Sequence, residues 1–153
     1  MTRIKIHPIQ TGVVRVKEAQ RRRRLGGLAR TLTDGDWTEW LPILAWLIEH
    51  PEGLYLVDTG ETARGGEPGY FPRWHPYFRW AMESRVEPEQ EVGPQLRSMG
   101  VDPGEVDTVI LTHLHTDHVG GLHYFPESRV IAGPREVNRA SGLMGKLRGY
   151  LPQ

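Results

Sequence analysis

Along the first residues apolar and polar positions alternate: Ile4, Ile6 and Pro8 stand against Lys5 and His7. That period of two predicts a half-buried strand over residues 3–9. Thr11-Gly12 reads as a turn, and Val13, Val14 and Val16 predict a second strand over residues 12–17. The basic run at 21–24, with Gly26-Gly27 behind it, predicts a mobile loop. Two apolar runs follow, at 43–49 and 54–57, joined by His50-Pro51-Glu52-Gly53. A short Pro/Gly turn between apolar runs predicts a hairpin with one buried face. Its second arm ends in Asp58-Thr59-Gly60.

Residues 61–88 are the least regular part, with prolines and glycines set among aromatic residues. A long irregular stretch of this kind is usually functional or disordered. Residues 89–99 predict a short helix that Gly93-Pro94 weakens in its first half and Gly100 caps. The β-branched run 106–111 predicts a buried strand, residues 129–132 a short strand, and Pro134 the first turn of a helix. Strands dominate the first half and strand–helix units the second, an α/β layered pattern.

Composition narrows this picture slightly. At 153 residues the chain is the size of one ordinary domain, with 38% hydrophobic and 25% charged residues. Lys plus Arg and Asp plus Glu each number 19, so the balance gives no reason to expect nucleic acid or another polyanion as partner. The absence of Cys excludes disulfides and thiolate metal sites. No run is apolar and long enough to span a bilayer, and the first residues lack the apolar core of a signal peptide, so a soluble, cytoplasmic protein is expected.

The chemistry is concentrated in His113-Leu114-His115-Thr116-Asp117-His118, which begins where the predicted strand 106–111 stops. In an extended chain His113 and His115 project to one side and can grip one cation, while Leu114 turns into the core. A turn then brings Asp117 and His118 round as ligands of a second cation. Imidazole and carboxylate donors suit Zn²⁺, or Fe and Mn. Packing several titratable groups together is costly without a metal to neutralise them. Gly120-Gly121 permit the tight backbone that leaves the loop. His123 matches no ligand spacing, and His7, His50 and His75 are expected at the surface or in turns. Most of the aromatic residues are expected in the core. Those in the stretch 70–80, with Trp74, Tyr77 and Phe78 named for the pocket, are the exception, since rings beside a metal site can hold an apolar substrate group.

The segment ILTHLHTDHVGG resembles the signature loop of the metallo-β-lactamase superfamily, and LYLVDTG resembles the strand that precedes it. The wording HTDHVGG and the long irregular segment are most similar to the N-acyl-homoserine lactonase-like branch. The resemblance implies the N-terminal half of an αβ/βα sandwich with metals at its mouth. Carried over by position, His113 and His115 bind the first of two divalent ions, zinc before iron or manganese. Asp117 and His118 bind the second, Asp117 also orients the bridging hydroxide, and Asp58 supports the loop by hydrogen bonds. The implied activity is a hydrolase that opens an ester, lactone or thioester of a small molecule with a metal-bound hydroxide. A glyoxalase II-type thioesterase and a β-lactamase-like amidase are the alternatives, and an iron redox protein is the alternative class.

One deficit stands against this reading. Two metals need more ligands than four, yet beyond His118 the sequence offers only His123 and no aspartate. Residues 1–153 are therefore expected to form a single metallo-β-lactamase-like domain that lacks its C-terminal half. The site would be completed by that half or by another chain.

Overall fold

The computed structural model describes residues 3–22, 27–72, 74–141 and 150. Its centre is a six-stranded mixed sheet in the order β4-β1-β2-β3-β5-β6. The two strands expected near the N-terminus are one: β1 runs unbroken over Lys5–Val16. Its register against β2 (Leu41–His50) shifts between Gln10 and Val13, a bulge where Gly12 sits at φ 109°. The chain bends there without leaving the sheet, which the Thr11-Gly12 turn signal did not distinguish from a break. β2 and β3 (Gly53–Val57) form the predicted hairpin.

Part of the irregular stretch is also ordered. α3 (Pro76–Trp80) leads into β4 (Met82–Arg85), which adds to the outer edge of β1. Four residues reading Met-Glu-Ser-Arg carry no strand signal. Glu83 is held instead by Arg15 across the strands, at 2.6 Å, and charge is typical of an edge strand. The basic run opens inside α1 (Glu18–Arg21), where Arg21 and Arg22 both pair with Glu18; its remainder lies outside the described residues. α2 spans Gly27–Thr33. The helix expected over 89–99 is a 3₁₀ turn, Pro88–Gln90, followed by α4 (Val92–Ser98). Pro94 falls in the first turn of α4, where no intrahelical N–H is needed.

α4 is the crossover between β3 and β5 (Val106–Leu111), which pair in parallel; β6 (Arg129–Ala132) adds in parallel beyond β5. α5 (Thr116–Val119) follows β5, and α6 (Pro134–Ala140) follows β6. Parallel strands leave their carboxyl ends on one side of the sheet, the usual place for a site in α/β folds. Asp58 and the His-rich loop both stand there.

The two sheet faces differ. On one, Ile9, Ala45, Leu47, Leu56 and Val109 pack against Val92 and Leu96 of α4 and against Val119 and Phe125. On the other, the registers align Pro8, Trp46, Val57, Ile110 and Ile131 in a single cross-sheet row. This row is apolar, yet Trp46 is 38% and Ile131 40% exposed, as is Ile6 beside it at 59%. Trp46 is thus not core, contrary to expectation. No helix of the described residues is long and apolar enough to cross a membrane.

Candidate metal centre

β3 ends in a residue with an unusual backbone. Asp58 has φ 58°, the left-handed region that non-glycine residues seldom enter. Its N–H donates to Ile110 O of β5 at 2.9 Å, and the next residue, Thr59, donates to His118 O at 2.8 Å. The turn is thereby tied to the loop it faces, and this over-determination holds the strained angle. The Asp58 carboxylate turns to the exit of β5. Oδ1 accepts the Thr112 N–H at 2.8 Å, and Oδ2 accepts the Thr112 hydroxyl at 2.7 Å and faces His118 Nδ1 at 2.8 Å. Burial alone would raise this carboxyl, but the bonds from His118 and Thr112 outweigh it and hold Asp58 below the usual carboxylate range.

These bonds fix the histidine tautomers by exclusion. Asp58 accepts, so His118 Nδ1 carries the proton and its Nε2 lone pair is free to bind a cation. Thr112 spends its hydroxyl proton on Asp58, so His113 Nδ1, 3.1 Å from Thr112 Oγ1, donates to that oxygen. Burial, then the neighbouring His118 and His115, lower the His113 pKa; burial chiefly lowers that of His115. Neutral imidazole is the form that binds metal. His118 goes the other way, because its bond to Asp58 and the nearby Asp117 overcome the effect of burial.

The donor set fits a cation. His113, Asp117 and His118 each place one ligand atom within 4.8 Å of the others. His118 Nε2 lies 3.5 Å from Asp117 Oδ2, and the rings of His113 and His118 are 3.8 Å apart. His115 stands outside this trio. Its ring is perpendicular to His113 at 4.9 Å and stacks on Tyr150 at 4.7 Å. His123 is turned away, towards Gly120 O and Glu91. His75, expected at the surface or in a turn, is buried at the start of α3 because the rings of Trp74, Tyr77 and Phe78 enclose it.

A cavity of about 160 Å³ adjoins the loop, with His113, His115 and Asp117 on one wall and Val16, Tyr77 and Phe78 on another. Trp74 is not in its lining and is 62% exposed. Gly120 and Gly121 are needed for close approach, since neither has a positive φ. A Cβ on Gly120 would lie 2.8 Å from Glu61 Oε1, and one on Gly121 would collide with Thr59 O.

Thr112, Thr116, Tyr150 and Glu61 were not singled out from the sequence. Glu61 is fully buried beneath the loop, and burial pushes its carboxyl up to about 7 against the bond from the Thr62 N–H, with Asp117 and Glu91 adding to the rise. Its proton is therefore bound more tightly in the folded chain than in the unfolded one, whose value is 4.5. Stability from this group is full below that value and is lost as pH rises through about 7. In the presence of a chelator, wild type should lose roughly 2–3 kcal/mol more stability between pH 5 and pH 8 than Glu61→Gln does. Urea melts at the two pH values check this, and parallel losses in both proteins would refute it.

Residues 38–149 match the family model of the metallo-beta-lactamase superfamily. The chain belongs to that superfamily. It is 33% identical over 107 residues to the N-acyl homoserine lactonase AiiB of Agrobacterium fabrum, covering 65% of this chain and 36% of that protein. To the N-acyl homoserine lactonase AttM of Azorhizobium caulinodans it is 30% identical over 146 residues, covering 92% and 49%. Among solved structures, an N-acyl homoserine lactone hydrolase with its product N-hexanoyl-L-homoserine at the catalytic metal centre superposes with a TM-score of 0.76. Identity there is 25%, over 99% of this chain and 58% of that one. The superfamily fold and a likeness to its lactonase-like branch thus agree with the motif. The chain spans about half the length, or less, of the curated relatives it matches.

Proposed function

We propose that this chain supplies the metal-binding half of a hydrolase whose substrates are small lactones, N-acyl homoserine lactones first among them. The observation that carries the reading is the Asp58 carboxylate joined to both Thr112 and His118, beside His113 and Asp117 at the carboxyl ends of two parallel strands. The likeness to N-acyl homoserine lactonases supports that substrate class.

His113, Asp117 and His118 would hold a divalent ion, and His115, with donors from a complementary C-terminal half, a second; zinc suits these donors best. When bound, such ions supply acidification of water and polarisation of the carbonyl under attack. Asp117 orients the attacking water through its carboxylate, and Asp58 keeps His118 in the tautomer that binds. Tyr77 and Phe78 offer the apolar wall against which the acyl chain lies, with Trp74 at the outer rim of the same segment. No Ser or Cys nucleophile is needed.

A turnover screen of the full protein on lactone, thioester, β-lactam and phosphodiester substrates, with metal content measured on the same sample, tests this. The expected result is zinc in the protein, preference for N-hexanoyl homoserine lactone and loss of turnover to a chelator. Bound iron with oxygen consumption, or faster cleavage of a thioester or β-lactam, would replace the lactonase reading by one of the alternatives.

A further inference from the structure

Two neighbouring residues of the turn after β3 hold the same histidine at two different points. Asp58 Oδ2 faces the ring, 2.8 Å from His118 Nδ1. Thr59 holds the main chain: its N–H and its Oγ1 both donate to His118 O, at 2.8 and 3.0 Å. The proposed reaction accounts for the aspartate and leaves the threonine hydroxyl without a role. Thr59 is 0% exposed, and the turn that carries it has little room to slide. A Cβ on Gly121 would collide with Thr59 O, and one on Gly60, at φ 72°, with the Thr11 side chain.

A helix of four residues such as α5 cannot hold its own end, because the carbonyls of its last turn need donors from outside. His118 O is one of these, and Thr59 fills both of its lone pairs. The N–H alone would satisfy the oxygen, and valine would fill the same space without a buried hydroxyl to pair. What valine cannot do is fix the carbonyl from a second direction. With the main chain held by Thr59 and Nδ1 by Asp58, the imidazole is secured at both ends. Its Nε2 then stays on the Asp117 side, 3.5 Å from Oδ2. We propose that the Thr59 hydroxyl is a positioning group for the metal ligand His118. This rests on the reading of His118 as a ligand. Thr59 does not line the cavity and acts through the His118 main chain.

Variants of the full protein test the assignment, with zinc affinity read by competition against a chromophoric chelator and kcat and KM read on N-hexanoyl homoserine lactone. Thr59→Val should weaken zinc binding by about tenfold, the mild end of what loss of a residue behind a ligand costs. It should lower kcat with KM unchanged. Thr59→Ser, which keeps the hydroxyl, should restore both readings to near wild type. A Thr59→Val protein that melts earlier yet binds zinc and turns over like wild type would overturn the proposal, leaving the hydroxyl a role in stability alone. So would a Thr59→Ser protein that falls as far as Thr59→Val. Should Thr59→Val fail to fold, the contrast between Thr59→Ala and Thr59→Ser decides in the same way. Zinc affinity needs no substrate, so a wild type that binds zinc but prefers another substrate is judged on affinity. Failure of wild type to take up zinc at all would instead remove the ligand reading, and this assignment with it.

Discussion

His118→Ala is expected to abolish metal uptake and to lower kcat/KM by about a thousandfold or more, since a bound cation supplies several kcal/mol to this chemistry. Asp58→Asn should cost less, about 10–100-fold, as for loss of a partner behind a ligand. The difference follows from the bonds. His118 brings its Nε2 within reach of His113 and Asp117, and its removal leaves a pair of donors. Asparagine keeps an oxygen for the Thr112 N–H but puts an NH₂ group where Oδ2 now faces the Thr112 hydroxyl and His118 Nδ1. His118 would then favour the tautomer with its proton on Nε2, the wrong one for a ligand, without losing the ring itself. Metal analysis and lactone kinetics on both variants check the order. Equal losses would mean that Asp58 does more than hold the loop, and a wild-type Asp58→Asn would end its supporting role.

The strand runs, the hairpin and the His-rich loop were legible because each rests on local sequence. Alternation fixes a strand, a Pro/Gly cluster fixes a turn, and ligands one to five residues apart share one loop. What escaped was set by tertiary contact. Thr11-Gly12 carries the signal of a turn, and only pairing with β2 and β4 makes it a bulge. β4 owes its place to β1 and to the Arg15–Glu83 pair, 68 residues apart in sequence. Asp58 was found through its motif, but Thr112, whose hydroxyl accepts from His113 and donates to Asp58, has nothing in its own neighbourhood to mark it. Glu61 was invisible for a stronger reason: a glutamate in a polar turn reads as solvated, and only the folded chain shows it buried. Spacing also placed His115 beside His113, and the two rings stand 4.9 Å apart, while only the folded loop shows how close His113 comes to Asp117 and His118.

The chain by itself should bind zinc weakly, and supplying a complementary C-terminal half should raise its affinity by about a hundredfold or more, because each added ligand completes a shell of about four. The physical ground is the open sheet face. Pro8, Trp46, Val57, Ile110 and Ile131 form a continuous apolar row, and its exposed members are large. A large exposed apolar patch marks a surface built to be covered. In a sandwich that cover would be a second sheet, expected to bring further ligands to the same end as His113 and His118. Co-expression of this chain with the C-terminal region of a lactonase relative, followed by zinc titration, tests the idea. The chain alone should also bind an apolar dye, and Trp46→Lys with Ile131→Lys should abolish both dye binding and the gain from the second half. A chain that stays monomeric, binds no dye and holds two zinc ions tightly with its own side chains would show that nothing further is needed to complete the site.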